Sequence, residues 1–144
     1  MKKRAKTALD FEVDKLTNSV RNTISGDSFQ TEVSLFTKAD TKLIIRKNGW
    51  QFDWKTEFSE NSKEVYKLTI VNNPEIIQGL ISLTKRPDHI LMNLVESAPF
   101  NIGINKLYEG VAGNLVAFAC KLSFQYGFEG FVSFTCLLYT SRCV

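Results

Sequence analysis

Residues 99–126 read PFNIGINKLYEGVAGN followed by LVAFACKLSFQY, and the parsing of this stretch decides the fold. From 111 to 126, Leu115, Phe118, Ala119, Leu122 and Tyr126 recur at helical spacing. Val116, Cys120 and Phe124 make the other side apolar too. That pattern predicts a largely buried helix. Gly127 stands where a glycine ends a helix in the left-handed conformation. Ahead of the helix, Gly103, Gly110 and Gly113 place three of the chain's eight glycines in one loop. Such a loop leaves backbone N–H groups convergent at the positive end of the helix dipole, a generic anion site. Plain helix packing accounts for the same glycines equally well.

Working outward, 64–71 (EVYKLTIV), 75–83 (EIIQGLISL) and 89–98 (HILMNLVESA) read as strands. Asn72-Asn73-Pro74 and Lys85-Arg86-Pro87-Asp88 are the turns between them. Gly79 marks a bulge or a close backbone approach. The third strand is apolar on both faces, so it is expected to be central, and Pro99 ends it. Segments 42–47 (KLIIRK) and 50–55 (WQFDWK) flank Asn48-Gly49, which predicts a hairpin with Trp50, Phe52 and Trp54 on one face. Residues 9–37 are mixed and polar. They read as a short strand at 11–13, then a helical or irregular stretch with a turn at Ser25-Gly26-Asp27. After the helix, 128–135 (FEGFVSFT) is one more strand. Several strands, a glycine-rich loop, a buried helix and a strand make an α+β class with a mixed, mainly antiparallel sheet.

Composition narrows the function. Apolar residues are 44% and charged residues 23% of 144, the balance of a packed domain. The formal charge of +3 is too small to argue for nucleic acid. The cluster Lys2, Lys3, Arg4 and Lys6 reads as a basic terminus before it reads as a nucleic-acid or anionic-lipid contact. No run reaches the roughly 18 apolar residues of a membrane helix, and no signal-peptide core is visible. The expected compartment is the cytoplasm, without a membrane partner. A single histidine, His89, and three cysteines without ligand spacing predict no metal site. No linker or repeat divides the chain, which reads as one domain over 1–135.

The layout resembles the acyl-CoA-dependent N-acyltransferase (GNAT) family. There, antiparallel strands lead into a central strand, and an Arg/Gln-x-x-Gly-x-Gly/Ala loop enters a helix and cradles the CoA pyrophosphate. One more strand follows. Here Leu107-Tyr108-Glu109-Gly110-Val111-Ala112 takes that form, with Leu107 where the family has Arg or Gln and Lys106 beside it. The run from Val65 to Thr135 follows the family's order of elements. Residues 49–54 (GWQFDW) and 110–121 (GVAGNLVAFACK) also resemble features of a bacterial subgroup of that family. The resemblance implies acetyl-CoA or another acyl-CoA as co-substrate and an amine acceptor of unspecified identity. It implies that Lys106, Gly110, Val111, Ala112, Gly113 and Asn114 hold the pyrophosphate. It also implies a thioester held by backbone N–H of the splayed central strand.

Acyl transfer to an amine needs a base, a polarised thioester carbonyl and an acid for the leaving thiolate. Glu96, near the end of the strand that feeds the loop, is the candidate catalytic base. An isolated acid there is expected to be partly buried, the setting that tunes a carboxyl for proton transfer. The alternative is a rim carboxylate paired with Lys or backbone N–H. Asp53, Glu57 and Glu64 are the other carboxylates on the earlier strands. Asn101, Asn105 and Tyr108 lie in the loop and either touch ligand or stabilise turns. Cys120 reads as a buried structural thiol, and His89 as a turn residue. Trp50 and Trp54 read as packing before they read as an acceptor pocket. The rival function is a non-catalytic CoA-binding or interaction module on the same fold, with homodimerisation open. A nucleic-acid-associated protein is a third reading.

Residues 136–144 read CLLYTSRCV. As protein they extend the last strand into an uncharged, poorly protected edge. As nucleotides, TGT CTC TTA TAC ACA TCT encodes the first six, and AGA TGT GTA TAA encodes the last three and a stop. This resembles the transposase mosaic end used in sequencing libraries. The expectation is an added segment over 136–144, with Cys120 the one native cysteine. On the family pattern the native frame would continue into a further helix and strand. The chain as given would then bind CoA weakly and turn over slowly.

Overall fold

A computed structural model describes residues 19–134. The expected strand at 11–13, the basic cluster at 2–6 and the segment 136–144 lie outside the described residues. The elements are β1 (Ser19–Asn22), β2 (Ser28–Leu35), α1 (Trp54–Ser59), β3 (Glu64–Ile70), β4 (Gly79–Lys85), β5 (Ile90–Ser97), β6 (Tyr108–Glu109), α2 (Val111–Gln125) and β7 (Val132–Phe134). Short 3-10 turns cover Ala39–Lys42, Arg46–Asn48 and Pro99–Asn101. The strands form one sheet in the order β6-β1-β2-β3-β4-β5-β7. All neighbours are antiparallel except β5 and β7, which run parallel. The fold is α+β, with a mostly antiparallel sheet and a helix after the main strands, as the sequence predicts.

Alternation along the strands splits the core between two faces. Leu68, Ile81, Leu83, Ile90 and Met92 pack against Val111, Leu115 and Ala119 of α2. Val65 and Leu80 point the other way, toward Phe36, Ile44, Trp50 and Trp54. Leu115 and Trp54 are fully buried, and side chains of this size contribute about 1.5–3 kcal/mol each. Gly79 is a close-approach glycine. A Cβ there would stand 2.6 Å from Val111 Cγ1, so its absence lets the start of α2 lie on the sheet. Gly127 has φ +84°, and the N–H groups of Gly127 and Phe128 close the helix on Phe124 and Ser123 carbonyls.

The register of β4 on β5 shifts between Ser82 and Leu83. Ser82 pairs with Leu94 and Leu83 with Met92, so Asn93 is the extra residue of a bulge. The Asn93 amide donates to Thr84 Oγ1 at 2.9 Å, which anchors the bulge. On its other side β5 pairs with β7 only from Ile90 to Met92. From 93 to 97 that edge faces no described strand.

Several expectations are corrected. The stretch read as helical or irregular is the β1–β2 hairpin, turning at Ser25-Gly26-Asp27. The Asn22 carboxamide caps that turn by accepting from the N–H groups of Ile24 and Ser25. Only Val20 and Thr31 in its two strands are buried, so no apolar alternation marks them. The predicted hairpin over 42–55 is absent. Residues 42–47 fall within 3-10 turns and loop, because only Ile44 of the apolar triplet is buried while Leu43 and Ile45 face solvent. Trp54 starts α1, whose N-cap is Asp53 accepting from Thr56 N–H. The strand read over 75–83 begins only at Gly79 and runs to Lys85, and the last strand begins at Val132.

Candidate functional site

Four connections define the C-terminal end of β5. Glu96 is buried, and its carboxylate accepts from Gln51 N–H at 2.7 Å, Phe52 N–H at 3.3 Å and the Trp54 indole N–H at 2.7 Å. Pro99 packs against Gly49, where φ is +101° and a Cβ would meet Pro99 Cγ at 2.8 Å. Asn101 is buried and donates to the Gln78 carbonyl and side-chain oxygen. Its own side-chain oxygen accepts from Tyr108 N–H at 3.1 Å. These contacts carry the loop after β5 across the end of the sheet to β6, which pairs with β1 at the far edge.

The start of α2 is built by β1. Asn114 is buried in the first turn; its amide donates to Ser19 O at 2.6 Å and Gly110 O at 2.7 Å, and its oxygen accepts from Ser19 N–H at 3.2 Å. Its backbone N–H donates to Gly110 O. Every donor of Asn114 is thus committed to protein. The expectation that it contacts pyrophosphate is corrected, because no hydrogen remains to donate. Gly110 is the N-cap with φ +96°. No side chain caps the helix there, so the N–H groups of Val111, Ala112 and Gly113 remain the orphan donors of its first turn. Lys106 is exposed, and its carbonyl accepts from Thr23 Oγ1 at 2.7 Å. Arg21 is a residue that sequence reasoning missed. It pairs with Glu109 across β1–β6, 88 positions away, through a 3.0 Å ion pair. No local signal could have joined them.

Glu96 is likewise corrected. It is not an isolated acid: its carboxylate accepts two donors on Oε1 and one on Oε2, and so clamps the turn leading into α1. The other carboxylates also have structural partners. Asp53 caps α1, and Glu64 accepts from Tyr66 OH. Glu57 is buried with Oε1 on Lys63 Nζ at 3.2 Å, and its Oε2 has no partner. Tyr108 packs edge-on against Phe29 at the outer sheet edge, away from β5. Trp50 and Trp54 are core residues. Cys120 is buried. Among the described residues no group of His, Cys, Asp and Glu could hold a metal ion, and no helix is long and apolar enough to cross a membrane.

No protein-family model matches the chain, and no curated protein matches it by sequence. Among solved structures it is similar to the crystal structure of a transcriptional regulator from Bacillus halodurans C-125. The TM-score is 0.55 at 13% identity, over 79% of this chain and 89% of that one. The likeness is one of fold.

Proposed function

We propose that the domain is a GNAT-like, acyl-CoA-dependent N-acyltransferase, using acetyl-CoA or another acyl-CoA and an amine acceptor. The observation that carries the reading is the order of elements around α2: a β5 strand bulged at Asn93, the loop to Gly110, a helix whose first turn no side chain caps, and β7 running parallel to β5. A parallel β5–β7 pair joined through α2 matches the family's splayed strands and the helix between them.

The residues at the α2 N-terminus fit a pyrophosphate in part. Backbone N–H groups of Val111, Ala112 and Gly113 form the positive end of the helix dipole. Lys106 and Arg21 supply charge where Leu107 does not. Glu109 offsets part of this charge through its pair with Arg21. The acyl-CoA thioester supplies the activated acyl group. The chain's own part is to hold the phosphates against α2.

The commitment of Glu96 favours a second reading, a non-catalytic CoA-binding or interaction module, since no free carboxylate stands at the end of β5. Titration with CoA, followed by melting temperature, tests the shared ligand. A site raises the melting temperature with CoA concentration by mass action. No rise at millimolar CoA sinks both CoA readings. A rise without acetyl transfer to any of a panel of amines leaves the binding module.

A further inference from the structure

Between α2 and the sheet lies a hollow of about 110 Å³. We infer that it binds a short-chain monocarboxylate, an anion of about two to four carbons. The inference does not rest on the acyl-transfer reading.

The hollow follows from how the helix is supported. α2 rests chiefly on β4 and β5 and also meets β1. In sheet order β2 and β3 lie between those supports, and the hollow opens over them. Val33 pairs with Leu68, which packs toward α2. Alternation turns Thr31 to that same face and Glu32 to the opposite one. Val33 and Leu68 from the sheet and Ala117 and Phe118 from the helix make the walls apolar. A cavity of roughly 150 Å³ admits benzene, so this one takes about four to six heavy atoms.

A buried donor faces into it. Thr31 lines the hollow and is only 7% exposed. Its hydroxyl forms no hydrogen bond among the described residues. A hydroxyl taken out of water and left unbonded is costly, so its place in the lining points to an occupant that accepts from it. Asn114 also lines the hollow, but its amide is already committed to Ser19 and Gly110.

Charge sets the class of occupant. Lys121 is the one cation of the lining, which holds no Asp or Glu. It is exposed and forms no ion pair among the described residues. α2 has no acidic residue to pair with it. Side chains of a helix lean toward its N-terminus, which brings Lys121 back toward Ala117 and Phe118. A carboxylate presents acceptors to both Thr31 Oγ1 and Lys121 Nζ, and its short chain covers the apolar walls. An inorganic anion leaves those walls uncovered, and an ammonium ion is repelled by Lys121.

The test is two-dimensional amide NMR of the full chain at about 0.15 M salt, with acetate, propionate and butyrate as probes. Propanol, propylammonium and phosphate are the comparison compounds. Propionate should shift amides of 31–33, 68 and 114–121 saturably at roughly millimolar concentration. The comparison compounds should be weaker by about tenfold or more. Thr31→Val removes the hydroxyl and keeps the shape, and Lys121→Gln removes the charge. Each should weaken propionate by about fivefold or more. Thr31→Val should also hold or raise the melting temperature, since no unbonded hydroxyl is then buried. No saturable shift by about 50 mM would mean a hollow filled by water alone and would overturn the inference. Equal response to propanol or phosphate, or undiminished binding by either variant, would overturn it as well.

Discussion

The indole N–H of Trp54 donates to Glu96 Oε1 at 2.7 Å, across 42 residues of chain. With the Gln51 and Phe52 N–H groups on the same carboxylate, this bond ties the entry to α1 to the end of β5. A buried carboxylate receiving three donors positions backbone, and it does so where the loop toward β6 departs.

Glu96→Gln therefore behaves as a stability mutation. The amide turns an NH2 group toward one or more N–H donors and leaves them unpaired, at about 1–3 kcal/mol. Trp54→Phe removes one donor and costs less. Denaturant unfolding of both singles and the double should show coupling above about 0.5 kcal/mol. Additive losses would mean that the two residues act independently.

Gly79→Ala forces a methyl to within 2.6 Å of Val111 Cγ1 and 3.1 Å of the Glu96 carbonyl oxygen. Backbone on one side and a packed helix on the other give little relief. The expected loss is about 1–3 kcal/mol by thermal unfolding. The same substitution at Gly26, with open space but φ +79°, should cost only the left-handed penalty.

Asn114→Ala leaves Ser19 N–H and carbonyl without their partner on α2. A loss of about 1–3 kcal/mol is expected. Hydrogen exchange should speed in β1 and the first turn of α2 before it does in β4. Uniform acceleration across the sheet would contradict Asn114 as a local tie.

Asp40 bonds Lys67 Nζ at 2.8 Å, and the N–H and Oγ1 of Thr37 at 2.9 Å. Partial burial works against its ionisation, but these three hydrogen bonds outweigh it and lower its pKa. A depressed folded pKa contributes stability above the unfolded value of 3.8, lost as pH falls through the folded one. The stability gap between wild type and Asp40→Asn should shrink as pH drops from about 5 to about 2. A gap constant over that range would assign no linkage to Asp40.

How much was legible depends on whether the signal was local. β3, β5, α2 and its Gly127 stop were readable as elements from their apolar runs and turn chemistry, but β5 lies beside the edge strand β7 and not at the centre of the sheet as expected. The close approach at Gly79 was readable for the same reason. The aromatic triplet Trp50, Phe52, Trp54 is not a strand face, since period two is also met by a turn that packs both tryptophans into the core while Glu96 accepts from Gln51, Phe52 and Trp54. Asp53 followed by Thr56 and Glu57 was the helix-start signal outweighed there. At the candidate site, the α2 first turn was legible from Gly110 onward.

By itself, then, the sequence determined an α+β chain with a long buried helix after a glycine loop, since apolar periodicity and glycine placement act over a few residues. Only the tertiary structure decided that Glu96 is a clamp, that Asn114 faces Ser19, and that Arg21 meets Glu109. Those pairings span 42 to 95 residues. They arise from strand order and register, which no local pattern encodes.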